Sequence, residues 1–265
     1  MNRTSLLLTL VFVVVCFSSA QDQKTLSIDT MNDPSLFKAF SVPKTWWLTD
    51  QTAYVYDPRT PAEQRTLERL DPRSGTRTPA LDQQRLRNEV SRLYPDKPPF
   101  LPPVPPTITE SGSRGLYLVG GDIVVVELPA STLRRITSTQ AEESAARFSP
   151  DGNRIAFIRE KNLFVYDLFA GTEQRLTADG GGTILNGTLS WVYWEEIFGR
   201  QDIAYWWSPD SRSIAFLRTD ESDVSLQHYV DFTPWTPTVT TQRYPKAGEP
   251  NPTVRVGIID LASSK

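Results

Sequence analysis

F-S-P-D-G-N-R-I-A-F-I-R-E, residues 148–160, and W-S-P-D-S-R-S-I-A-F-L-R-T, residues 207–219, match almost position for position. Each sets a Ser-Pro-Asp turn ahead of a short apolar run, the pattern of a tight turn feeding a strand. A second element recurs: D-I-V-V-V-E-L-P-A-S-T-L-R-R-I-T from Asp122, N-L-F-V-Y-D-L-F-A-G-T-E-Q-R-L-T from Asn162, and V-R-V-G-I-I-D-L from Val254. Residues 145–177 then read as a short strand, the S-P-D-G turn, a strand at 155–158, a tight turn, a strand at 163–167, a turn at Ala170-Gly171 and a strand at 174–177. That is one four-stranded antiparallel sheet. Repeats of this size bury their apolar faces only by stacking on their neighbours, which is the signature of β-propeller blades. The expected fold class is all-β: a partial β-propeller of four-stranded antiparallel blades, with a short helix and a Pro-rich connector. A β-sandwich is the alternative, but it does not call for near-identical segments.

Outward from these repeats, the chain divides at its prolines. Residues 111–265 hold the blades; after Asp260-Leu261 only A-S-S-K remains, so the last blade is expected to be incomplete, with open sheet edges and an uncovered apolar face. Residues 58–110 read as a Pro-rich connector. Within it, Leu81, Leu86, Val90 and Leu93 mark a short amphipathic surface helix, and P-D-K-P-P-F-L-P-P-V-P-P at 95–106 must be extended, as an arm across the domain or a plain surface loop. Residues 21–57 carry the first blade strands in K-T-W-W-L-T-D-Q-T-A-Y-V-Y, an aromatic and β-branched strand pair around a polar turn. Residues 1–20 have a basic start, an apolar core from Leu6 to Phe17 and the small residues Ser18 and Ala20, and read as a signal peptide cut before Gln21. The expected location is periplasmic or extracellular, with no membrane span after cleavage. An uncleaved anchor and, through Cys16, a lipoprotein are the alternatives, although the bulky Val15 suits lipoprotein processing poorly.

Composition narrows the chemistry. Cys16 is the one cysteine, so a chain cut before Gln21 has neither disulfides nor a thiol nucleophile. His228 is the one histidine, which removes multi-histidine metal sites. No cofactor and no metal are expected. A net charge of -3 argues against a nucleic-acid partner.

The densest aromatic stretch is L-S-W-V-Y-W-E-E-I-F at 189–198. It sets two adjacent carboxylates, Glu195 and Glu196, in a frame of Trp191, Tyr193, Trp194 and Phe198. Acids partly desolvated by such a frame bind a positive group more strongly than acids on an open surface, so the stretch is a candidate cation site. Glu142-Glu143 is a second acidic pair, without the aromatic context. A helix-start or salt-bridge role is the plain reading of either pair.

Several segments together resemble the amino-terminal propeller of the dipeptidyl peptidase IV group of serine peptidases. They are the S-P-D-G blades, I-L-N-G at 184–187, W-V-Y-W-E-E-I-F, the Y-W-W-S-P-D that follows, and R-Y-P-K-A-G-E-P-N-P-T-V-R-V at 243–256. The likeness is strongest from Arg147 onward and weak across the Pro-rich region. It implies that Glu195 and Glu196 hold the free amino terminus of a peptide, so that only two residues reach the nucleophile. Trp194 departs from a position that is often acidic in the family. The resemblance also implies a catalytic α/β-hydrolase domain, with a G-x-S-x-G serine followed by aspartate and histidine, and a ring larger than the roughly four blades of about 40–50 residues counted here. This sequence has no G-x-S-x-G, and His228 reads as a packed or surface residue, so no catalytic residue is assigned. The expectation is an amino-terminal propeller fragment of an exported serine exopeptidase, inactive alone. Its expected partners are a peptide with a free amino terminus, a catalytic domain and a second copy in a dimer. The alternative is a non-enzymatic propeller-like module for peptide binding or protein interaction.

Overall fold

The computed structural model describes residues 27–31 and 41–263. The expected signal peptide at 1–20 lies outside them. The chain falls into two units, residues 1–41 and 42–265. Of the first, the described part is a single helical turn, α1 (Ile28–Met31). Among the described residues no helix is long and apolar enough to cross a membrane.

The second unit is built from four antiparallel sheets in chain order. The first has the strands β1 (Lys44–Trp47), β2 (Ala53–Tyr56), β3 (Glu68–Leu70) and β4 (Arg77–Pro79) in sequence order. The second has β5 (Thr107–Ile108), β6 (Arg114–Val119), β7 (Asp122–Glu127) and β8 (Thr132–Arg135), and the third β9 (Glu143–Phe148), β10 (Arg154–Arg159), β11 (Asn162–Asp167) and β12 (Thr172–Arg175). In the fourth, β15 (Ser213–Asp220) pairs on one side with both β13 (Ile184–Asn186) and β14 (Tyr205–Trp207), and on the other with β18 (Thr253–Asp260). Between β15 and β18 the chain leaves the sheet as a separate hairpin, β16 (Leu226–Asp231) and β17 (Thr238–Arg243).

Alternation along the strands stacks the sheets. Tyr117 and Val119 of β6 and Val124 and Val126 of β7 face the first sheet, where they meet Tyr54, Tyr56 and Leu67. Their neighbours Leu116, Ile123 and Val125 point the other way and meet Phe148, Ile155, Phe157 and Phe164 of the third sheet. That sheet repeats the device, turning Ala156, Ile158, Leu163 and Val165 toward Tyr205, Ile214 and Phe216 of the fourth. Successive side chains on a strand point to opposite faces, so one apolar strand serves two cores. Burying each of the large side chains contributes roughly 1.5–3 kcal/mol. This is blade-on-blade packing, as the repeats imply.

The S-P-D turn has the same hydrogen bonds in both of its copies. Ser149 N donates to Arg154 O (2.8 Å) and Gly152 N to Ser149 O (2.8 Å), while Ser208 N donates to Ser213 O (2.8 Å) and Ser211 N to Ser208 O (2.9 Å). In each, the serine hydroxyl bonds the aspartate two residues on, Asp151 or Asp210, at 2.5 Å. The fourth residue is left-handed in both, Gly152 at φ 72° and Ser211 at φ 61°. The second sheet makes the same turn with T-E-S-G-S-R, through Thr109 N to Arg114 O (2.9 Å) and Gly112 N to Thr109 O (2.8 Å). The first makes it one residue shorter with L-T-D-Q-T, through Leu48 N to Thr52 O (2.9 Å) and Gln51 N to Leu48 O (3.1 Å). Neighbouring turns are tied together: Tyr54 Oη donates to Gly112 O (2.7 Å), Arg114 Nη1 to Gly152 O (3.1 Å), and Asp151 N to Ser211 Oγ (3.0 Å).

Two segments differ from the sequence reading. Strands β3 and β4 fall inside the span read as connector and complete the first sheet, and the fourth strand of the third sheet is Thr172–Arg175 rather than 174–177. The helix α2 (Gln83–Leu93) is capped by Asp82, whose carboxylate accepts from Gln84 N and Arg85 N, and it buries Leu86 and Val90. The proline-rich segment lies along this helix: Gln83 Nε2 donates to Pro103 O (2.6 Å), and Val104 enters the core between the first two sheets.

The I-L-N-G run also has a structural cause. Gly187 has φ +75°, and a Cβ there would lie 2.8 Å from Ile158 Cδ1. Its N–H donates to Leu217 O (2.9 Å) and its carbonyl accepts from Ala204 N (2.9 Å), which locks the chain entering the next segment onto β15. Gly187→Ala is expected to cost at least about 1–2 kcal/mol from the left-handed backbone alone. A urea midpoint equal to that of the parent protein would rule this out.

Candidate functional site

The aromatic and acidic stretch forms α3 (Trp191–Glu196), a helix of six residues with no fully buried member. Its N-cap, Ser190, makes no side-chain capping bond, and its hydroxyl is buried without a partner. The helix is instead held from outside. Just before it, Leu189 N donates to Asp202 Oδ1 (2.7 Å). Trp191 packs edge-on against Trp194, with ring centroids 6.4 Å apart, and against Tyr244 at 5.0 Å. Tyr244 follows β17 and is itself anchored by its N–H to Ser225 O (3.0 Å). After the helix, Phe198 N bonds Tyr193 O (2.9 Å) and Arg200 N bonds Trp194 O (2.7 Å), with Gly199 and Arg200 both left-handed at φ 59° and 64°. Two consecutive left-handed residues turn the chain sharply back on the helix.

The structure keeps Glu195 and Glu196 together on the last turn of α3 but gives them different surroundings. Glu195 is half-buried, with its side chain 20% exposed, and its Oε1 accepts a hydrogen bond from Arg200 Nε (3.0 Å) and lies 2.7 Å from Arg200 Nη2 in an ion pair. Glu196 is exposed, and among the described residues its side chain has no ion pair or hydrogen bond. Glu195 is therefore partly shielded from solvent and Glu196 is not. Of the expected frame, Trp191, Tyr193, Trp194 and Phe198 are each half-buried, and the ring contacts join Trp191 to Trp194 and Tyr244. An ammonium offers three donors, and two adjacent carboxylates with free lone pairs match it. No cluster of acidic residues and histidine that could hold a metal ion occurs among the described residues.

The other acidic pair has a structural role. Glu143 is buried, its carboxylate taken by Arg159, Thr137 and Thr139, while Glu142 is exposed. His228 lies on the exposed face of the hairpin with Nδ1 3.2 Å from Thr241 Oγ1, far in sequence from any serine motif.

A family model described as the dipeptidyl peptidase IV (DPP IV) N-terminal region matches residues 113–265, more than half of the chain and all of α3. The chain belongs to this family. Among the DPP IV relatives, "Probable dipeptidyl peptidase 4" of Aspergillus flavus is 40% identical over 126 residues, covering 45% of this chain and 16% of the relative. "Dipeptidyl peptidase 4" of Trichophyton tonsurans is 35% identical over 148 residues, 53% of this chain and 19% of the relative. The chain thus spans less than a fifth of the length of these relatives. The fold is similar to the crystal structure of Porphyromonas gingivalis dipeptidyl peptidase 4, with a TM-score of 0.66 at 23% identity, over 84% of this chain and 32% of that one. It is also similar to a putative dipeptidyl aminopeptidase IV from Bacteroides ovatus, with a TM-score of 0.56 at 20% identity, over 83% and 28%. The third and fourth sheets and most of the second therefore lie in the DPP IV N-terminal region, the whole has the fold of these propellers, and α3 is an excursion between β13 and β14 of the fourth sheet. Three members of the site escape a reading of the DPP IV resemblance alone: Arg200, Asp202 and Tyr244. Tyr244 sits in the quoted R-Y-P-K run, but nothing in that run indicates that its ring reaches Trp191.

Proposed function

We propose that this chain is the substrate-holding propeller region of an exported DPP IV-type serine exopeptidase, and that Glu195 and Glu196 bind the free amino terminus of a peptide. The observation that carries the reading is the pair itself: in a member of this family, α3 presents one fixed, half-buried carboxylate beside one exposed and unpaired carboxylate. Each charge-assisted bond to an ammonium contributes about 1.5–3 kcal/mol. Holding the amine at a fixed place sets how many residues extend toward a nucleophile, which is how such a site measures out dipeptides. The nucleophile belongs to a catalytic α/β-hydrolase domain, because these residues contain no G-x-S-x-G, and this chain alone is inactive. Export rests on the signal-like residues 1–20.

Two surfaces support further partners in the intact enzyme. Val256 and Ile258 are 72% and 69% exposed on the fourth sheet, where the rest of a longer propeller would stack. The hairpin of β16 and β17 carries Phe232 and Trp235 at its tip, 76% and 101% exposed, which suits contact with a second copy in a dimer. Binding, unlike cleavage, needs only residues of this chain. Calorimetric titration with Gly-Pro-Gly-Gly is expected to give saturable binding, and its N-acetylated form none. Equal heats from the two peptides would defeat the proposal.

A further inference from the structure

We propose that Arg200 is an internal counter-cation of this site: it occupies Glu195 while no peptide is bound and is exchanged for the peptide ammonium on binding. This rests on the reading of Glu195 and Glu196 given above. The geometry has three parts. First, Arg200 Nε donates to Oε1 at 3.0 Å and Nη2 lies 2.7 Å from that same oxygen as an ion-pair contact, so the pair is not the two-oxygen fork that an arginine makes when it locks a carboxylate. Among the described residues Oε2 takes no hydrogen bond and stays open to an incoming donor. Second, the two partners differ in exposure. The Arg200 side chain is 76% exposed and that of Glu195 only 20%, so the carboxylate is the fixed half and the cation can swing away into water. Third, the arginine backbone is placed on purpose by the chain: left-handed Gly199 and Arg200 reverse its direction, and Arg200 N closes the turn onto Trp194 O at 2.7 Å. The turn therefore brings an exposed guanidinium back to the Glu195 carboxylate.

The consequence is competition for the same carboxylate oxygen. With Arg200 in place the two glutamates carry one net negative charge rather than two, and a peptide amine must supply enough interaction to displace the guanidinium. An exposed ion pair shifts an equilibrium only modestly, so the displacement lowers affinity by about two- to fivefold. Small monovalent cations are set back by the same factor, so the exchange lowers occupancy without changing the preference among cations.

The test uses the full chain, Gly-Pro-Gly-Gly and its N-acetylated form, with calorimetry at low salt. Arg200→Gln is expected to bind the free peptide about two- to fivefold more tightly than the parent protein. Arg200→Lys is expected to return affinity toward the parent value, because the charge is kept. The Arg200 side chain is mostly solvent-exposed, and a circular dichroism melt confirms that each variant is folded. Unchanged or weaker binding by Arg200→Gln, in a protein whose parent still distinguishes free from acetylated peptide, overturns the exchange and leaves the amine site standing. No distinction between the two peptides in any variant overturns both.

Discussion

With Glu196 replaced by Gln, release of dipeptides by a complete enzyme carrying these blades is expected to fall by about 10- to 150-fold in kcat/KM, with the thermal midpoint unchanged. The range is the loss of one charge-assisted bond of about 1.5–3 kcal/mol, converted at about 1.4 kcal/mol per tenfold. Gln keeps the shape but removes the charge, and it turns a donor toward an ammonium that has only donors. Stability should not move, because Glu196 is exposed and has no partner among the described residues. Glu195→Gln should give a loss of the same order. It also releases Arg200, but that side chain is 76% exposed and such pairs contribute about 0–1 kcal/mol at most. The two losses should not add, since both carboxylates act on one amine. Steady-state kinetics with a Gly-Pro chromogenic substrate, beside thermal melts of the same preparations, would check this. Parental rates in both variants would remove these residues from the site.

Arg159→Ala should do the opposite and destabilise the fold by about 3–5 kcal/mol, because it strands a buried carboxylate. Glu143 lies opposite Arg159 in the pairing of β9 and β10, and its side chain is fully buried. Its oxygens accept from Arg159 Nε (2.7 Å), Thr137 Oγ1 (2.7 Å) and Thr139 Oγ1 (2.9 Å). Arg159 also bonds Glu173 through Nη1 (2.7 Å) and Nη2 (2.9 Å) and lies over the rings of Phe157 and Phe164, at 5.2 and 4.9 Å from their centroids. One guanidinium therefore joins all four strands of the third sheet. Removing both charges with Glu143→Leu and Arg159→Leu should recover much of the loss, since an apolar pair does not need compensation. Urea unfolding of the single and double variants measures both. A single variant within about 1 kcal/mol of the parent protein would show that Glu143 finds another partner.

The two acidic pairs show how far sequence reasoning reaches. Glu142-Glu143 and Glu195-Glu196 look alike in isolation, and their surroundings differ: Glu143 is buried, while α3 has no fully buried residue. The aromatic neighbours suggest desolvation of both Glu195 and Glu196, and only Glu195 is shielded. The reason is positional: Glu196 ends a short, uncapped helix whose tryptophans pack sideways onto Tyr244. Arg200 was not legible because its return to Glu195 depends on two consecutive left-handed residues, and Arg200 is not a residue type that announces such a conformation.

The fold was legible where side chains make the turn. Ser149, Asp151 and Gly152 advertise it, and so do Ser208 and Asp210. In the second sheet Thr109 stands where the others have serine, its Oγ1 accepting from Arg114 N (3.1 Å), and in the first a turn one residue shorter uses Asp50, which accepts from Thr52 N (3.1 Å), so T-E-S-G-S-R and L-T-D-Q-T do not spell the Ser-Pro-Asp signature. Strands β3 and β4 were read as connector for a related cause. E-R-L and R-T-P are three residues each, too short to show alternation, and R-T-P is the edge strand of its sheet, where proline is tolerated.

The most direct measurement is a crystal structure of this chain with Gly-Pro-Gly-Gly bound. The expected result places the peptide nitrogen at about 2.7–3.2 Å from carboxylate oxygens of both Glu195 and Glu196, with Arg200 turned away from Glu195. A peptide bound elsewhere, with the Arg200 to Glu195 pair intact and Glu196 still free, would contradict the assignment of the amine site.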